Sequence, residues 1–146
     1  MSNTEPSREL FLSILSTRMA FRQTIQRVLK RNKVEMTFEM LQVMHRLWLT
    51  EGVSQQFLAE QTAKDKACLT NLINNLEKKG WVIRKEDTAD KRNRLIFLTE
   101  EGRALSQQVR PLLKGIYAEI TKKMTEKKVQ ASINHLLKLS KILDEI

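Results

Sequence analysis

Between Ser54 and Gly80 the chain encodes two amphipathic helices separated by only three residues, a pattern that few folds accommodate. Ser54 is suited to cap a short helix running to Gln61, with Phe57 and Leu58 inward and Ala59 small enough to admit a close neighbour. Thr62, Ala63 and Lys64 then lead to Asp65, whose carboxylate can accept free amide hydrogens at the start of a longer helix and favours its positive end. Leu69, Leu72, Ile73 and Leu76 follow at i, i+3, i+4 and i+7, one apolar stripe that ends near Gly80. Helix, tight turn, helix results.

The flanking segments extend this pattern. Leu12, Leu15, Met19, Ile25 and Leu29 recur at mostly helical intervals over 8–31, with Arg18, Arg22, Arg27 and Arg31 on other faces. Thr37 is a plausible cap for a helix carrying Phe38, Leu41, Met44, Leu47 and Trp48, for which Gly52 offers a stop. Trp81–Arg84 and Arg94–Leu98 are short β-prone runs around the charged stretch KEDTADKRN, which predicts a hairpin with a long protruding tip. Thr99 opens another helix, with Glu100 and Glu101 in its first turn and Pro111 expected to kink or divide it. A last helix is expected over 126–145, where Val129, Ile133, Leu136, Leu137, Leu139, Ile142 and Leu143 exceed what one narrow stripe requires. With 4 Gly and 2 Pro in 146 residues, the many hairpins of an all-β fold are excluded. The expected class is mainly α with a small β wing.

A formal charge of +9 and a pI near 9.9 favour a polyanionic partner, nucleic acid before anionic membrane. The excess is regional: residues 1–34 carry +5, 64–94 carry +4 and 110–146 carry +4, whereas 35–63 carry −3. The single cysteine, Cys68, excludes an intrachain disulfide framework and a cysteine zinc site, so a reducing, cytoplasmic setting is expected. The start MSNTEPSREL lacks a basic region followed by an apolar stretch, and no apolar run approaches the roughly 18 residues of a membrane span. His45 and His135 lie far apart outside any ligand pattern, and no nucleophile elbow, metal-hydrolase motif or glycine-rich phosphate loop occurs. Neither catalysis nor a metal nor a cofactor is expected. Trp48 and the methionines suit either a small-molecule pocket or, more ordinarily, the core.

Opposite the stripe of Leu69, Leu72 and Leu76 lie Ala67, Thr70, Asn71 and Asn74, with Lys78 beyond. Thr and Asn weaken helices, so their use on a helix face calls for a reason. Short side chains with donors and acceptors suit base-edge readout, Asn matching adenine with two hydrogen bonds and Ala allowing contact with a thymine methyl. A merely polar surface is the alternative. At the hairpin tip, Lys91, Arg92 and Arg94 lie near Asp87 and Asp90. A protruding Arg92 suits the negative potential of a narrow minor groove, with Asp90 two residues earlier able to orient its guanidinium. A solvated charged loop is the alternative there.

These residues together resemble the multiple-antibiotic-resistance-regulator (MarR) family of dimeric winged-helix transcription factors. The stretch from Leu58 to Leu105 carries LEKKGWV, Asp90-Lys91-Arg92 and LTEEG in that family's order and spacing; outside residues 37–105 the likeness is one of helix order and length. The resemblance implies a leader and dimerisation helix over 1–34, a winged helix-turn-helix domain over 35–105 and dimerisation helices over 106–146. It carries DNA contact onto Lys66, Ala67, Cys68, Thr70, Asn71 and Asn74, and the wing contact onto Arg92. Ala67 and Cys68 stand where relatives often have Ser and Thr, and Asn71 where Arg is frequent. The resemblance also implies a homodimer on double-stranded, near-palindromic DNA, most often as a repressor, and a small aromatic or anionic effector between the dimer base and the DNA-binding lobes. Cys68, near a helix N-terminus, is a candidate redox thiol and equally a small apolar packing residue. Two other readings use the same charge: a nonspecific architectural DNA-binding protein, and a basic module that meets an acidic protein or membrane surface.

Overall fold

A computed structural model describes residues 5–146. In chain order it contains α1 (Pro6–Arg31), α2 (Phe38–Leu49), β1 (Val53–Ser54), α3 (Gln55–Thr62), α4 (Lys66–Lys78), β2 (Val82–Glu86), β3 (Arg94–Leu98), α5 (Glu100–Met124) and α6 (Glu126–Glu145). The chain divides into two compact units, one ending at Val109 and one comprising Arg110–Ile146.

In the first unit, hydroxyl and carboxylate caps fix where α2, α3, α4 and α5 begin. Thr37 Oγ1 accepts from the Met40 amide at 3.1 Å, Ser54 Oγ from Phe57 at 3.1 Å, Asp65 Oδ1 from Cys68 at 2.7 Å and Thr99 Oγ1 from Gly102 at 3.0 Å. Each satisfies an amide that has no partner inside its helix, and such a cap contributes about 0.5–2 kcal/mol. Helix α3 ends at Ala63, whose left-handed φ of 52° turns the chain directly into α4. The turn uses a conformation that glycine adopts more cheaply, and the Lys64 amide closes it on the Ala59 carbonyl at 3.0 Å.

The three strands form an antiparallel sheet in the order β1-β3-β2, with Val82 opposite Leu98 and Glu86 opposite Arg94. Beneath it, Leu58 from α3, Leu69, Ile73 and Leu76 from α4, and Val43, Met44 and Leu47 from α2 join Val82, Ile96 and Leu98 in a buried core, to which α1 adds Ile25 and Leu29. Helix, turn, helix and hairpin are thus arranged as a winged helix-turn-helix. Gly102 makes the sheet-to-helix junction possible, since a Cβ there would sit 2.0 Å from the Trp81 carbonyl oxygen. Trp48 spans the same junction, its indole N–H donating to the Gly102 carbonyl at 2.8 Å.

Several expectations need correction. The wing has a third strand, β1, which pairs Val53 with Ile96 and Ser54 with Leu95. Helix α2 ends at Leu49 rather than continuing to Gly52; Gly52, at φ 76°, instead donates its amide to the Ile96 carbonyl at 2.8 Å and feeds the chain into the sheet. Phe57 is 40% exposed while Leu58 is fully buried, because a two-turn helix offers the core only one narrow line of contact. The strands extend to Glu86, shortening the tip to residues 87–93. The methionines of α2, Met40 and Met44, are core residues.

In the second unit, α5 passes through Pro111 without being divided; the missing amide hydrogen removes one helical bond and the neighbouring ones persist. Thr125, at φ 73°, caps α6 through its hydroxyl. Apolar side chains of α6 stay open to solvent, among them Leu137 at 65% and Leu143 at 48%, and in the first unit α1 likewise leaves Leu15 and Met19 each at 62%. Among the described residues, no helix is long and apolar enough to cross a membrane.

Candidate nucleic-acid interface

Helix α4 turns its apolar stripe into the core and leaves the opposite face free. Lys66, Ala67, Cys68, Asn71 and Asn74 are exposed and Thr70 is half-buried, so all six helix positions singled out from the sequence reach solvent, Ala67, Thr70, Asn71 and Asn74 on the face away from the apolar stripe. The Asp65 cap anchors the first turn of that side at the Cys68 amide, which orders the backbone under Lys66, Ala67 and Cys68. Asn71 and Asn74 present amides with donors and acceptors, and Ala67 presents a methyl, on a face whose only charge in the first two turns is Lys66.

The wing tip is organised by two aspartates. Asp87 Oδ1 accepts from the Ala89 amide at 2.9 Å, and Asp90 Oδ1 accepts from the Arg92 amide at 3.1 Å and from Arg92 Nε at 3.3 Å. The Asn93 amide donates to the Asp90 carbonyl at 3.0 Å, closing the turn. The Arg92 side chain is nevertheless 90% exposed, so Asp90 aims the guanidinium without covering it. Lys91 and Arg94 are exposed beside it. Arg92, Arg94 and Lys66 line one open hollow together with Ser54, Gln55 and Gln56 at the start of α3. The cations of wing and helix therefore converge on a common concavity, a surface suited to phosphate.

Sequence reasoning missed three residues that connect these parts: Gln55, Glu77 and Arg84. Arg84 on β2 pairs with Glu77 on α4, and its Nε donates to Gln55 Oε1 at 2.9 Å. Gln55 Nε2 in turn donates to Thr70 Oγ1 at 3.3 Å. A signal for this existed in the strand period: Arg84 shares the inward face with Val82, and a guanidinium there requires partners.

Two further ion pairs brace the unit behind this surface. Arg103 donates to both carboxylate oxygens of Glu51, at 2.9 and 2.7 Å, and these bonds, helped by the Leu98 amide, hold the Glu51 carboxyl below its ordinary pKa and push Arg103 up. Burial alone would raise the Glu39 carboxyl, but hydrogen bonds from Arg22 at 2.7 and 3.2 Å outweigh it and leave its pKa lowered.

Comparison with known proteins fits this geometry. The sequence profile of the MarR family matches residues 37–93. The chain is 32% identical over 97 residues to the HTH-type transcriptional regulator TtmR of Methylorubrum extorquens (strain PA1), covering 66% of this chain and 49% of that protein. The match thus spans about half of that relative's length. The fold is shared with the crystal structure of the transcriptional regulator PA4135, at a TM-score of 0.80 and 24% identity over 91% of this chain and 96% of that one. It is shared too with the structure of reduced AbfR bound to DNA, at a TM-score of 0.73 and 22% identity over 90% of this chain and 94% of that one.

Proposed function

We propose that this chain, whose residues 37–93 match the profile of the MarR family, is a homodimeric, sequence-specific regulator of transcription that binds near-palindromic double-stranded DNA. The observation that carries this reading is the pairing of a capped, uncharged, short-side-chain helix face with an exposed arginine aimed by a neighbouring acid. Helix α4 enters the major groove, where Asn71 and Asn74 read base edges and Ala67 and Cys68 allow close approach. Arg92 enters the adjacent minor groove, while Lys66, Lys91 and Arg94 meet phosphates. That AbfR, a protein of the same fold, has a structure bound to DNA supports a DNA-binding role for this chain.

Dimerisation is supported by the large apolar side chains that a single copy leaves open on α1 and α6, among them Leu15, Met19, Leu137 and Leu143. A two-fold pair places its recognition helices about 34–36 Å apart, one turn of duplex. Repression is the output, relieved by a small aromatic or anionic effector that favours a spacing of the two α4 helices unsuited to DNA.

Selection of bound duplexes from a random pool, with footprinting of the winner, tests the reading. A footprint with two-fold related halves one helical turn apart, bound by two copies, is expected. Equal retention of all duplexes would make the protein a nonspecific architectural binder and overturn the proposal.

A further inference from the structure

Thr70 lies on the face assigned to base reading, yet its hydroxyl is already occupied. Its one proton goes to the Lys66 carbonyl at 2.8 Å, and it accepts from Gln55 Nε2 at 3.3 Å. A hydroxyl has a single donor, so Thr70 has none left for a base acceptor. Its oxygen is turned back along α4 and toward α3, which leaves the methyl as the part of the side chain that these bonds do not engage.

The Gln55 amide is itself held the right way round. Arg84 Nε donates to Gln55 Oε1 at 2.9 Å, a bond only the carbonyl end can accept, so the NH₂ end must face Thr70. Arg84 is fixed in turn by its ion pair with Glu77, its side chain only 13% exposed. The chain of partners therefore runs from the wing strand β2, through the first residue of α3, to the middle of α4.

We propose that Thr70 selects its base pair through its methyl, favouring the 5-methyl of thymine, and that Gln55 and Arg84 are positioning residues that hold the hydroxyl away from the DNA. This rests on the DNA-reading role proposed for α4, and it reverses the usual expectation that a threonine on such a helix contributes its hydroxyl. The relay also ties selectivity on α4 to the stem of the wing, so a change at Arg84 reaches the base-reading surface without touching DNA.

The test is a set of binding measurements on the selected duplex in which each thymine is replaced in turn by uracil, which lacks only the methyl. For the wild type, one such position in each half-site weakens binding by about four-fold, the value of one methyl-sized group removed from contact. Thr70→Ser is expected to abolish sensitivity at that position and no other, whereas Thr70→Val keeps it. Gln55→Ala and Arg84→Lys are expected to reduce the same uracil effect while the salt dependence of binding stays that of the wild type, a combination that loss of folding does not produce. Loss of the uracil effect in Thr70→Val with its survival in Thr70→Ser overturns the inference, as does a uracil profile identical in all five proteins. A wild type that prefers no duplex overturns the DNA-reading role itself, and the two failures are thereby distinguished.

Discussion

Helix α4 is fixed along its length by Leu69, Ile73 and Leu76, none more than 1% exposed, whereas the wing tip is ordered by hydrogen bonds to Asp87 and Asp90 at the surface. Burial of large apolar side chains holds α4 against motion in every direction. The tip's bonds set local turn geometry, and none of residues 87–93 is buried, so no packed side chain anchors the loop. A rigid face suits discrimination between base edges, which depends on tenths of an ångström in hydrogen-bond length. A compliant cation suits attraction to phosphate and to the minor groove, which is long-range and tolerant of position. Under the proposed function, the two regions divide the work into selectivity on the helix and affinity at the tip.

That division can be broken most forcefully from inside. Ile73→Ala empties a fully buried site beneath α4 and should cost about 2–5 kcal/mol, read by chemical denaturation, with DNA selectivity falling together with the fold. On the outer face the effect is smaller and more specific. Asn71→Ala or Asn74→Ala should lose about 1–3 kcal/mol of discrimination at particular base pairs, measured by competition between duplexes, with thermal stability unchanged. At the tip, Arg92→Ala should weaken binding to many sequences and reduce the log–log salt slope by about 1, the signature of one cation lost from the DNA surface. If Arg92→Ala changed base preference and the Asn variants changed the salt slope, the roles would be reversed.

The smallest effect lies in the bracing behind both regions. Glu51 has a lowered pKa in the folded chain, so its pairing with Arg103 adds stability above the ordinary carboxylate range and loses it as pH falls through the lowered value. Glu51→Gln should therefore melt slightly below the wild type at neutral pH, and the two melting curves should converge in acid. Equal melting temperatures at neutral pH would show the pair to be without net effect.

Most of α4 was legible because its information is local: a capping acid three residues before the amide it accepts, and apolar residues at the helical period. The cap at Ser54 and the hairpin were readable for the same reason. Strand β1 was not, since two residues carry no period and its existence depends on Ile96 and Leu95 more than forty positions away. Phe57 and Leu58 are adjacent and similar in hydropathy, so sequence could not tell which faced inward; the crossing of α3 over the core decides it. The link from Glu77 through Arg84 and Gln55 to Thr70 joins three elements, and spacing along one chain does not encode it. Charge position was visible in every case, and charge pairing only where the partners were near neighbours, as at Asp90 and Arg92.

The central claim is that α4 discriminates among sequences while the cations only attract. Equilibrium competition between the selected duplex and the same duplex with its bases permuted, repeated at several salt concentrations, tests it most directly. A preference of about 10³ or more for the selected duplex, maintained as salt lowers both affinities, is the predicted result. A ratio near one at every salt concentration would contradict it.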